Sequence, residues 1–251
     1  MHAILDGDIL IYQAASKAET FVQWDDHVWT LHARADYAEE LLGGYIETMI
    51  EKVKATEFSI AVTTGKLFRH DIYPAYKGNR DVRKKPMLIG HLREWVMATY
   101  GDKAYCVNRL EADDVMGILS TSPTRIKGER IIVSLDKDFK TIPGLFYDYG
   151  KDETYEISED DANHFWMLQT LMGDATDHYP GCPGMGPVSA AKLLPPGMPL
   201  EDMWPLVVSA FAKKGLGEDY ALLMARLARI LRTGDYNFKT KEVNLWTPPS
   251  L

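Results

Sequence analysis

Four groups of carboxylates recur along the 251-residue chain. Asp6 and Asp8 flank Gly7 just after a short apolar run at residues 3–5, and Asp136 and Asp138 follow the β-branched run at 130–135. Glu111, Asp113 and Asp114 open a stretch with helical spacing, and Asp174 and Asp177 follow another. Donor sets made of oxygen alone, without His or Cys between them, suit Mg²⁺ or Mn²⁺ rather than zinc. Crowded carboxylates raise one another's pKa unless cations compensate. Two divalent ions about 4 Å apart can activate a water and stabilise the leaving oxygen of a phosphodiester. Each pair taken alone has a plainer explanation, since acids suit a helix's first turn and Asp is ordinary turn chemistry after a strand. Four groups brought to one edge favour metal chemistry instead.

The cations are segregated from these acids. The formal charge is −8, yet residues 66–93 carry a local balance of +6, whereas the stretch from Asp152 to Asp177 holds eight carboxylates and no Lys or Arg. Such separation suits a protein that holds metal ions beside an anionic ligand. The two cysteines, Cys106 and Cys182, are too far apart in sequence to suggest a disulfide framework or metal knuckle. The first residues lead into a strand pattern with no basic n-region or cleavage site, and no apolar run is long enough to cross a bilayer. These features predict a soluble, cytoplasmic protein, and a monomer is expected.

The elements that must position these groups alternate. Strands are expected at residues 3–5, 58–62, 104–107 and 130–135, with helices at 37–53, 88–100 and 111–119 between them. Residues 146–149 and 154–157 read as edge strands or a hairpin. Alternation of this kind implies a mainly parallel sheet flanked by helices, with ligands beyond the carboxyl ends of its strands. Asp6 and Asp136 then reach the same edge. Glu111 and Asp114 share a helix face at i, i+3, while Asp113 points elsewhere if the helix has already begun. After Ser158, which with Asp161 resembles a capping box, helices are expected at 160–172, from Pro187 onward, and at 220–231. Residues 234–251 carry no readable pattern.

In this order, Asp6-Gly7-Asp8, Tyr76-Lys77-Gly78-Asn79-Arg80, Glu111-Ala112-Asp113-Asp114, Ser134-Leu135-Asp136-Lys137-Asp138, Met172-Gly173-Asp174-Ala175-Thr176-Asp177 and Gly181-Cys182-Pro183-Gly184-Met185-Gly186 resemble the 5′-nuclease (flap endonuclease) superfamily. The chain resembles bacteriophage 5′-3′ exonucleases and the 5′-nuclease domain of bacterial DNA polymerase I over roughly residues 1–200. The resemblance implies an α/β, PIN-like core at 1–160 with a short arch around 77–95. A helical region at 161–251 would carry a helix-hairpin-helix DNA-binding element at about 174–194. It also implies two Mg²⁺ or Mn²⁺ ions, release of short 5′ products from duplex ends, nicks or flaps, and action in related enzymes on the RNA of RNA–DNA hybrids. The setting it suggests is phage or bacterial replication, primer removal or repair, in the host cytoplasm if the gene is a phage's.

By the same resemblance, Asp6, Glu111, Asp113, Asp114 and Asp136 surround a first metal, and Asp138, Asp174 and Asp177 a second. Lys77 and Arg80 stand beside the scissile phosphate, where a fixed cation stabilises developing charge. Tyr76 either stacks on a terminal base or is an ordinary half-buried tyrosine. Arg83, Lys84 and Lys85 line the arch. Gly181, Gly184 and Gly186 let the backbone approach a phosphate, with K⁺ bound there in relatives and Lys192 as a further contact. Two departures stand out: Asp8 occupies a position usually held by Thr or Ser, and Thr63-Thr64 lack the usual aspartate. Two other readings remain open. One is a haloacid-dehalogenase-like phosphatase with Asp6 as nucleophile, and the other a DNA-binding module with weakened catalysis.

Overall fold

A computed structural model describes residues 1–79 and 85–248; Arg80, Arg83 and Lys84 lie outside them. Among the described residues the centre is a six-stranded sheet in the order β5-β4-β1-β6-β7-β8. β1 (His2–Asp6) runs parallel to β4 (Glu57–Ala61) on one side and to β6 (Arg130–Ser134) on the other. β5 (Ala104–Tyr105) and β7 (Gly144–Asp148) extend the parallel array, and β8 (Glu153–Ile157) closes it as an antiparallel hairpin partner of β7. The expected α/β architecture with a mainly parallel sheet is present.

Successive residues of a strand face opposite sides, and β1 uses both. Ala3 and Leu5 enter a core with Leu10, Ile11, Leu42, Ile46, Leu92 and Val96, which come from α1 (Gly7–Ala18), α2 (Ala35–Lys52) and α4 (Ile89–Tyr100). Ile4 faces the other side, with Val115, Met116 and Leu119 of α5 (Ala112–Thr121) and with Phe139 and Phe146. Each fully buried side chain of this kind contributes about 1.5–3 kcal/mol. Between β4 and α4 lies α3 (Arg69–Ile72).

A third core follows. It is formed by α6 (Glu159–Met172), α7 (Pro187–Leu193), α8 (Leu200–Ala212) and α9 (Glu218–Ala228), through Trp166, Leu171, Met203, Val207, Phe211 and Met224. Ser158 caps α6, its hydroxyl accepting from the Asp161 N–H at 3.0 Å. The chain then returns to the sheet: Ile230, Leu231 and Tyr236 pack with α5 and β6 residues, and β9 (Tyr236–Asn237) pairs with β10 (Glu242–Val243). Ile230, Leu231 and Tyr236 therefore belong physically with the α/β core, while Trp246 packs back into the helical core against Trp166 and Trp204.

Three elements were not legible in the sequence. β2 (Glu19–Gln23) and β3 (Trp29–Ala33) form a hairpin whose turn lacks glycine. It is closed instead by Asp25, whose carboxylate accepts the N–H groups of His27 and Val28, both at 2.8 Å. Helix α8 contains Pro205, which ordinarily ends a helical pattern. Helix α1 is the third, starting at Gly7 directly from the end of β1. Gly7 is needed there: a Cβ would lie 2.4 Å from the Ala61 carbonyl oxygen.

Candidate active site at the carboxyl edge of the sheet

Asp6 ends β1 and caps α1, its Oδ1 accepting from the Ile9 N–H at 3.2 Å. Its Oδ2 accepts from the Ser134 hydroxyl at 2.6 Å, and that hydroxyl accepts from the Asp136 N–H at 3.0 Å. Ser134 thus ties the ends of β1 and β6 together. Asp136 in turn accepts from the Asp138 N–H at 2.8 Å, and Asp138 accepts from the Gln169 amide of α6 at 2.6 Å. Asp174 folds its own loop, taking the N–H groups of Thr176 and Asp177 at 2.6 and 3.1 Å.

Burial and mutual repulsion shape this edge. Burial pushes Asp6 up to about 7, helped by Asp8 and Asp136. Burial likewise raises Asp138 to about 7, with Asp136, Asp174 and Asp177 adding to it. Asp113 is driven well upward by burial, then by Asp6, Asp136 and Glu111. Asp136 rises through burial and through the charges of Asp177 and Asp174. These acids feel one another and call for cations. The donor set, carboxylate oxygens alone, fits a hard divalent ion. Among the described residues, no three of the acids already converge on one point at ligating geometry, so coordination would require their side chains to turn.

Glu111 differs. It is the N-cap of α5, and although burial favours its neutral form, Lys77 and Arg69 outweigh this and hold it down to about 2. Its Oε1 accepts from Lys77 and its Oε2 from Arg69 at 2.8 Å and from the Tyr76 hydroxyl at 3.0 Å. Lys77 also lies 3.5 Å from an Asp177 oxygen. The Lys77 backbone sits at φ +55°, a region costly for a non-glycine residue. Its N–H, donated to the Asp177 carbonyl at 2.9 Å, helps to fix it there.

Several expectations need correction. Asp114 faces away from the acidic edge, at 0% exposure. Both its oxygens bond Arg69, at 2.7 and 2.8 Å, and they also accept the N–H groups of Glu111 and Leu231. With its acceptors filled inside the protein, Asp114 is a structural anchor, while Asp113 is the residue turned toward the acids. Tyr76 does not present a ring for stacking. It is 2% exposed, and its hydroxyl bridges Glu111 and Asp177, at 3.0 and 2.8 Å. Gly181 is a packing residue: a Cβ there would stand 2.3 Å from the Gly173 nitrogen. Gly184, Gly186, Lys192 and Lys85 are exposed.

Arg69 went unrecognised in the sequence as anything but part of a basic block. It is 2% exposed. Beyond the two acids it donates to the carbonyls of Leu227 and Arg229 at 3.2 and 2.6 Å, joining α3, α5 and the end of α9. Thr63, where an acid was expected, accepts the Ala112 N–H at 2.7 Å at the start of α5. The Thr63 N–H is bonded by the carboxylate of Asp8, which also pairs with Arg93 at 3.0 Å.

A central parallel sheet whose carboxyl edge gathers acids beside a lysine and a tyrosine has the donors for divalent-ion chemistry on a phosphate ester. Residues 2–146 match the family model described as "5'-3' exonuclease, N-terminal resolvase-like domain". The chain is 31% identical to an exodeoxyribonuclease of Enterobacteria phage T3 over 98% of its length and 93% of the relative's. It is 32% identical to an exonuclease of Escherichia phage T7, with the same coverages. A crystal structure of the bacteriophage T5 flap endonuclease, described as a pseudo-enzyme–product complex with DNA and metal ions, superposes with a TM-score of 0.63. That likeness is at 17% identity, over 90% of this chain and 88% of that one. The chain belongs to the 5′-3′ exonuclease family, and it is a 5′-3′ nuclease.

Proposed function

We propose that the chain hydrolyses DNA phosphodiesters at 5′ ends, nicks and flaps with two divalent ions, Mg²⁺ or Mn²⁺, and that it also cuts the RNA of RNA–DNA hybrids. The observation that carries this reading is the group of buried carboxylates that raise one another's pKa beside Lys77. In this reading Asp6, Glu111, Asp113 and Asp136 hold a first ion, and Asp138, Asp174 and Asp177 a second. When bound, the ions supply a water activated for attack and neutralise charge on the leaving oxygen.

The chain's own groups do the rest. Ser134 and the Ile9 N–H of α1 orient Asp6, and Gln169 orients Asp138. Lys77 and Arg80 place positive charge where the pentacoordinate phosphorus gathers negative charge. Tyr76 keeps Glu111 and Asp177 at a fixed separation. The exposed turn at Gly184–Gly186 and Lys192 bind the duplex backbone, and by the family resemblance Arg83, Lys84 and Lys85 add phosphate contacts. A role in primer removal or repair follows from such substrates.

The test is cleavage of a 5′-labelled duplex bearing a 5′ flap, in Mg²⁺, Mn²⁺ or EDTA. Metal-dependent release of short 5′ products is expected, and their lengths separate end-trimming from flap incision. Equal cleavage in EDTA would overturn the metal assignment.

A further inference from the structure

Two departures in the sequence meet at one place in the structure. The segment after β4 carries Thr63-Thr64 rather than an acid, and α1 carries Asp8 in its first turn. The Asp8 carboxylate lies over that segment, both of its oxygens accepting from the Thr63 N–H at 3.2 Å. Its Oδ1 also accepts from Nη2 of Arg93, on α4, at 3.0 Å. A carboxylate is thus supplied to the end of β4 from α1, but it arrives already paired with an arginine. Burial raises the Cys106 thiol just beyond β5; Asp8 adds to that rise and Arg93 opposes it. The pair therefore lies across the carboxyl ends of both strands.

Arg93 is held unlike the buried Arg69. Arg69 is 2% exposed, and its guanidinium is filled by two carboxylates and two carbonyls. The Arg93 side chain is 36% exposed and holds Asp8 through one nitrogen, while its Nε is buried with no hydrogen-bond partner. A donor left unmatched costs free energy, so the fork is set for a second acceptor. Carboxylates and phosphates match it, because arginine can take either with two nitrogens at once. Asp8 stands two positions after Asp6 in chain order, a rise of about 3 Å along a helix, which brings the guanidinium beside the acidic edge. We infer that Arg93 grips a backbone phosphate next to the scissile one, with Asp8 as the positioning residue that holds its guanidinium there; the inference rests on the nuclease reading above. The bond to Asp8 stays in place while the fork turns and offers its remaining nitrogens to the phosphate. Such a contact carries no base information, as a structure-directed nuclease requires.

The test uses a duplex with a 5′ flap in which methylphosphonate replaces, one at a time, each phosphate flanking the mapped cut. Affinity is read by fluorescence anisotropy in EDTA for wild type and for Asp8→Asn with Arg93→Ala, a pair of changes that leaves the net charge unaltered. In wild type, neutralising one phosphate adjacent to the cut is expected to weaken binding by about tenfold. The double variant should bind the unmodified duplex about tenfold more weakly. Neutralising that same phosphate should cost the double variant less than about twofold, because the contact is already gone. Arg93→Lys keeps the charge and lacks the fork, so its penalty at that phosphate should shrink to about threefold. If the double variant does not fold, Arg93→Lys decides: an undiminished penalty there overturns the inference. Penalties that simply add at every position, or a double variant with wild-type affinity, also overturn it, while cleavage by the wild type leaves the nuclease reading standing. A wild type that neither binds nor cleaves the duplex brings down that reading and the inference with it.

Discussion

At the scale of single residues, the edge is organised by who neutralises whom. Asp136 is tied to both sides of the proposed metal pair, its N–H donating to the Ser134 hydroxyl that bonds Asp6 and its carboxylate accepting the backbone N–H of Asp138. Asp136→Asn keeps the shape and removes a charge. Binding to a nicked duplex should be retained while kcat falls at least about a hundredfold; a variant that cuts at near wild-type rate would remove Asp136 from the ion sites. Lys77 lies between Glu111 and Asp177. In Lys77→Ala, single-turnover cleavage should slow by roughly 10²–10³-fold with little change in KM. A defect confined to KM would make Lys77 a binding residue.

At the scale of elements, Arg69 does what no single helix could. It bonds two acids of α5 and two carbonyls at the end of α9 from its place on α3. Arg69→Ala would strand Asp114 as a buried, unpaired charge, which costs about 3–5 kcal/mol and should appear as a marked drop in Tm. A Tm near wild type would show that the network is dispensable. This network also shows where sequence reading stops. The buried strands and the amphipathic helices of the core were legible because apolar spacing reports burial directly. The i, i+3 relation of Glu111 and Asp114 was legible too, and they do share a face. A buried arginine more than forty positions away in sequence sits against both, enclosing Asp114 in the interior while Glu111 keeps its other oxygen on Lys77 at the acidic edge. Local spacing carries no information on such a partner. Nor could it reveal the β2–β3 hairpin, whose turn relies on one side-chain carboxylate rather than on glycine.

At the scale of the whole molecule, the acidic edge is a liability that pH exposes. Asp6 and Asp138 are raised to about 7, and Asp113 and Asp136 are also raised. Between about pH 4 and 7 the folded chain therefore binds more protons than the unfolded one, and stability falls as pH rises through that window. Glu111, held at about 2, acts the other way: its contribution is present above pH 4.5 and is lost below that window, as pH falls toward 2. Thermal melts in EDTA should show Tm decreasing from pH 5 to 7.5. Added Mg²⁺ should raise Tm more at pH 7.5 than at pH 5, where protons already quench the repulsion. A Tm that climbs with pH in EDTA would contradict the shifts.

The return of residues 230–236 to the face of the sheet has a consequence for synthesis. Domains generally fold as units while the ribosome is still translating. Here Ile230 and Leu231 complete the core around α5, and the carbonyls of Leu227 and Arg229 complete the shell of Arg69. Those groups emerge long after the strands and most of the acids they stabilise. A nascent chain arrested near residue 200 should be sensitive to protease and unable to cut DNA, and the same chain extended past residue 245 should resist protease and cut. On that expectation the emerging polypeptide does not cut nearby nucleic acid until its clasp has been made.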